Sequence, residues 1–158
     1  MKRKIVPILL GALAVFVLAT GYGFAYNYGL ALGFRIGTAP DWWFAGADKV
    51  ARHIAWRHIG TLFGIGLVSI PFALGIARFK KKSPVRFSFY VTGFFLLTGP
   101  FLYNTGSSLT DGHWQMIASW LIDLLKHLVI LPLLTMVAVR LLARVRDQNV
   151  VAGEMSQP

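Results

Sequence analysis

The feature that most constrains this chain is the length of its apolar stretches. Residues 5–26, 58–78, 87–103 and 114–139 carry few charges. Neither the two-residue period of a half-buried strand nor the polar stripe of a soluble helix breaks them up. The first, IVPILLGALAVFVLATGYGFAY, rises about 1.5 Å per residue as a helix and so crosses about 30 Å of hydrocarbon. The second is framed by Arg57 and Arg78. The third is short and aromatic. The fourth is long enough to need tilt or a kink, and Pro132 supplies the means, because its ring clashes with the Leu128 carbonyl and removes one rung of the ladder. With 56% hydrophobic residues and a mean hydropathy of +0.60, the solvent for most of this chain is lipid.

The expected fold is therefore all-α: a polytopic four-transmembrane-helix bundle forming a single domain over residues 1–145, with 146–158 a disordered cytoplasmic tail. The stretch APDWWFAGADKVARHIAW, residues 39–56, opens with Pro40 and Asp41, a helix-start signal. It is expected to form a short interfacial helix that turns into the second span. A cleaved signal peptide is the competing reading of the first stretch, with Ala19-Thr20-Gly21 as a small-residue site. The run stays apolar and aromatic beyond that point, which favours a retained span.

Charge placement sets the orientation. The formal net charge is +10, yet the cations do not form a nucleic-acid surface. Lys2, Arg3 and Lys4 precede the first span, Arg78, Lys80, Lys81, Lys82 and Arg86 lie between the second and third, and Arg140, Arg144 and Arg146 close the fourth. Basic residues in alternate segments mark cytoplasmic ends. Both termini are then expected inside a bacterial-type inner membrane. Trp42, Trp43, Trp56, Tyr26, Tyr28, Tyr103 and Trp114 would mark the outer boundary, where amphipathic rings prefer to sit. Membrane lipids, and other membrane subunits or a second copy of the chain, are the expected partners; nucleic acid is not. Gly60 and Gly64 form a GxxxG that lets two helix backbones approach closely.

Three polar features call for an explanation. In WLIDLLKHLVILP, Asp123, Lys126 and His127 are three and four residues apart, so they share one helix face inside the fourth span. A charge there costs at least about 2.5–3.5 kcal/mol if left to lipid. The face either satisfies itself, with Lys126 reaching outward to Asp123, or is a working site in the bundle. The repeat in ARHIAWRHIG sets Arg52, His53, Arg57 and His58 at the mouth of the second span. His53 and His58 are five apart, about 140° around a helix, and cannot share one ligand. Arg52, His53 and Arg57, with Trp42 and Trp43, read as interfacial anchors or partner contacts, and the arginines as partners for Asp41 or Asp48. His113 begins the fourth span and is a weaker candidate ligand.

The candidate haem b ligands are His58 and His127, one on each of two helices running in the same direction. Counted from the inner arginines, their depths differ by about 5–10 Å. In helix count and scattered histidines the chain resembles the small four-helix cytochrome b anchors of respiratory enzymes, though no specific motif carries the likeness. The expectation is a membrane subunit of a redox or respiratory assembly, with a b-type haem or a quinone contact. The alternative is a non-redox accessory, assembly or immunity-type membrane protein, or a small carrier. The chain has no cysteine, which excludes disulfides and thiolate chemistry. It also lacks a nucleophile elbow, a phosphate loop or an HExxH pair.

Overall fold

The computed structural model describes residues 2–43, 45–46, 48–99 and 117–155. Those residues are all-helical outside turns: α1 Lys2–Phe34, α2 Lys49–Phe79, α3 Pro84–Thr98 and α4 Ile117–Met155. Three of the four contain segments long and apolar enough to cross a membrane, namely Val6–Phe34, Lys49–Phe79 and Ser119–Arg146. Most of the outward surface is hydrocarbon. Leu9, Phe16 and Phe24 on α1, Phe63 and Leu67 on α2, and Leu125 and Leu133 on α4 all stand exposed. A contiguous apolar exterior of this extent is untenable in water and natural in lipid. The chain is a multi-pass membrane protein.

The boundaries differ from the expected ones in four places. α1 does not stop at Tyr26 but continues to Phe34; Asn27 and Tyr28 interrupt the apolar run without offering the backbone any reason to leave the helix. As a result Tyr26 lies in the core, 1% exposed, rather than at the outer boundary. Residues 40–43 are turn, with the Trp43 amide bonded to the Pro40 carbonyl at 3.0 Å. The helix instead begins at Lys49, where the Asp48 carboxylate accepts from the amides of Val50 and Ala51 at 3.0 and 3.2 Å, an N-cap that fixes the start of α2. At the far end, the backbone of 146–155 is helical rather than a disordered tail, since extending an existing helix costs far less than nucleating one and no proline intervenes before Pro158. Residues 99–103 of the expected third span lie partly, and Tyr103, His113 and Trp114 wholly, outside the described residues.

Packing is organised by small residues and rings. α1 and α2 run antiparallel and cross where Gly29 and Gly33 of one meet Gly64 and Gly60 of the other. A methyl on Gly60 would sit 2.5 Å from the Gly33 carbonyl oxygen, and one on Gly29 2.8 Å from that of Gly64. The GxxxG of the second span thus has a counterpart, GLALG, at the end of the first. Two such motifs facing each other bring backbones together where no hydrophobic force does so. Further along, Tyr22 of α1 packs edge-on against Phe95 of α3 with centroids 5.8 Å apart, and Tyr26 packs on the same ring tilted, at 5.4 Å. The Tyr22 hydroxyl donates to Ser69 Oγ at 3.1 Å, because Ser69 spends its own hydrogen on the Ile65 carbonyl at 2.7 Å. Both polar groups are fully buried and satisfied. α4 packs on α2 and α3 and closes the bundle.

Gly64→Ala is expected to destabilise the purified protein by about 1–3 kcal/mol through overpacking against backbone, read as a lower denaturation midpoint in detergent. Gly66→Ala, where a methyl meets nothing within 4 Å, leaves the midpoint unchanged.

Candidate functional site: a buried lysine hub beside a cavity

Lys126 does not reach outward. It is 6% exposed, and its ammonium turns inward, 2.8 Å from Asp123 Oδ1, 2.8 Å from Thr61 Oγ1 and 2.7 Å from His58 Nδ1. An ammonium has three hydrogens and no lone pair, so all three are used and His58 Nδ1 is the acceptor. The His58 proton then sits on Nε2, which donates to Ser119 Oγ at 3.0 Å. Thr61 in turn donates to the His58 carbonyl at 3.1 Å. Three side chains from α2 and α4 accept from one cation, and Ser119 joins them through His58, each in a role its neighbours dictate.

His127 sits one residue on, 5% exposed. Its Nδ1–H donates to the Asp123 carbonyl at 2.7 Å and lies 3.0 Å from the Tyr26 hydroxyl oxygen. Because a carbonyl can only accept, the Nδ1 hydrogen is shared, and the Tyr26 hydrogen is directed elsewhere. The imidazole is held between Tyr26, centroid 4.2 Å away, and Phe95, stacked at 5.6 Å.

These groups line a cavity of about 360 Å³ between α1, α2 and α4, with Phe95 of α3 as a further wall. Asn27, Arg57, His58, Asp123 and His127 give it polar edges, while Phe34, Phe95 and Trp120 give it aromatic walls. Its volume is at the small end of ligand pockets, and the mixture of apolar walls with a few convergent polar groups is typical of them.

The structure thus brings Asp123, Lys126, His127 and His58 together, sets Arg57 at the edge of the same cavity, and leaves Arg52 and His53 outside it. Arg52 donates to the Pro40 carbonyl at 2.9 Å and approaches Asp41 at 3.9 Å. Arg57 lies 4.4 Å over the Phe34 ring. Asp48 pairs with neither arginine, being spent on its cap. His53 is exposed and borders a separate recess with Trp56 and Arg57. Trp42, Trp43 and Trp56 form an edge-on cluster with centroids 5.2–6.3 Å apart. Thr61, Ser119 and Tyr26 are the site residues that sequence reasoning missed. Ser119 was visible in principle, four residues before Asp123 on the same face, and Thr61 three after His58.

An axial haem pair does not fit. An axial imidazole must offer iron a lone pair, whereas His58 uses Nδ1 on an ammonium and Nε2 on a serine. Among the described residues no three His, Asp or Glu side chains form a metal-binding group either. Comparison with protein-family models, curated proteins and solved structures finds no match to this chain.

Removing one member of the ion pair leaves the other uncompensated. Asp123→Asn or Lys126→Met alone is expected to cost about 3 kcal/mol, the low end for buried pairs because Asp123 keeps 34% of its side chain exposed. The double variant should lose clearly less than the sum, as measured by a double-mutant cycle on denaturation midpoints.

Proposed function

We propose that the protein is a membrane subunit of a redox assembly that binds the head of a lipid-soluble quinone in the cavity beside Lys126. The observation that carries this reading is the coincidence, in one cavity, of flat aromatic walls with proton-bearing side chains. Phe34, Phe95 and Trp120 suit a planar ring, and the Tyr26 hydroxyl and Asn27 amide can donate to its carbonyls. Reduction of a quinone consumes two electrons and two protons. A redox partner supplies the electrons; the Asp123, His58 and His127 side chains supply an exchangeable proton network at the ring's edge.

In the same reading α3 is a fourth crossing. Its 15 residues span about 22 Å, short of the hydrocarbon thickness. However, the His58–Ser119 bond sets the beginnings of α2 and α4 at the same end of the bundle. That placement supports a return crossing between Phe79 and Ile117, and α3 is the apolar helix that lies in that interval among the described residues. Four crossings with basic inner segments give cytoplasmic termini in a bacterial-type inner membrane, with the turn and tryptophan cluster at 40–56 on the outer surface.

A second reading is supported by the completeness of the lysine hub. Every hydrogen on Lys126 is already bonded, which also suits a structural lock in a non-redox accessory or assembly subunit.

Titration of the detergent-purified protein with a short-chain quinone should quench Trp120 fluorescence saturably. Trp120→Phe serves as the control for the signal, and Tyr26→Phe should weaken binding about three- to tenfold, the worth of one hydrogen bond. Absence of saturable quenching, or equal affinity in Tyr26→Phe, would favour the structural lock. A Soret band that shifts on dithionite would instead restore haem.

A further inference from the structure

At the opposite end of the bundle the small residues leave space rather than contact. α1 and α2 touch at Gly29 and Gly64 but have splayed by the time they reach Gly11 and Gly75, where a methyl would meet nothing within 4 Å. Between them lies a groove of about 480 Å³ walled by Gly11, Ala14, Pro71, Gly75 and Phe87, with Lys80 at its mouth. The Lys80 ammonium stands 4.8 Å over the Phe87 ring, which holds the charge at that mouth.

We propose that this groove seats one acyl chain of an anionic phospholipid, with the phosphate at Lys80. Lining and charge select this occupant. Apart from Lys80, the residues along the groove from Pro71 to Phe79 and across to Gly11, Leu18 and Phe87 are apolar or glycine. An alkyl chain laid along it meets hydrocarbon throughout, and its phosphate meets the ammonium. Arg78, Lys81 and Lys82 neighbour Lys80 in the sequence, while no acidic residue occurs between Asp48 and Asp111. The chain itself therefore offers these cations no nearby sequence partner, and a lipid phosphate does. Basic pockets between helices at the cytoplasmic face have this chemistry. The assignment rests on the membrane reading of the fold and is independent of the quinone.

Native mass spectrometry of the full chain, released from detergent after exposure to equimolar phosphatidylglycerol and phosphatidylcholine of identical acyl chains, tests it. The wild type should retain one phosphatidylglycerol at several-fold preference, and soluble glycerol phosphate should not displace it. Gly75→Leu, which fills open space and should keep the wild-type melting temperature, should lose about nine-tenths of the bound lipid. The Lys80→Gln/Lys81→Gln pair should keep a lipid but lose the headgroup preference. Undiminished phosphatidylglycerol on Gly75→Leu, equal retention of the two lipids by the wild type, or displacement by glycerol phosphate would overturn the proposal. Extraction of the protein from membranes by alkaline carbonate would instead point to failure of the membrane reading itself.

Discussion

A cation in hydrocarbon must find its acceptors inside the protein, and the rest of this structure is arranged around that requirement. Lys126 meets it with one acceptor from its own helix and two from α2. The bonds fix the lateral position of α4 and its rotation about its axis, since turning the helix by one residue would carry the ammonium about 100° away. They also decide the state of His58, whose neutral tautomer follows from what a lysine can and cannot donate. The cavity is a by-product of the same requirement. Holding α4 by polar side chains instead of close-packed small residues leaves room between α1, α2 and α4, and that room is lined by the groups that hold it open.

The glycine crossing plays the complementary part. Where α1 meets α2 through Gly29, Gly33, Gly60 and Gly64, backbone touches backbone and nothing can enter. Contact is thus tightest at the end of α1, next to the cavity, and loosest near its beginning, beside Lys80. One pair of antiparallel helices therefore generates a sealed joint and an open groove along a single interface. Tyr22, Tyr26, Phe72 and Phe95 fill the space between.

What the sequence discloses here is governed by range. Apolar length needs only neighbouring residues, so the long helices were legible. The shared face of Asp123, Lys126 and His127 follows from helical spacing alone. The direction in which Lys126 points was not legible, because His58 and Thr61 are more than sixty residues away. Helix ends were misjudged where composition changed but backbone preference did not, as at Asn27 and again beyond Arg146. The expected depth mismatch of the two histidines came from choosing the inner arginines as the zero. Measured from Phe79 and Arg146, where the span-forming segments end, it shrinks to about 3 Å. Yet the nearness of two histidines did not make them a ligand pair; their nitrogens had other engagements that spacing could not reveal.

The 39 residues of α4 measure about 58 Å, nearly twice the thickness of a bilayer core. A rod that long exceeds its span-forming segment, Ser119–Arg146, by the turns after Arg146, which lie beyond the hydrocarbon core. Along that shaft the hydrogen-bond ladder lacks a rung at Pro132, one turn below His127. The missing rung sits between the turns that carry the buried lysine and those that run on past Arg146, so the helix is softest where its two halves have different surroundings.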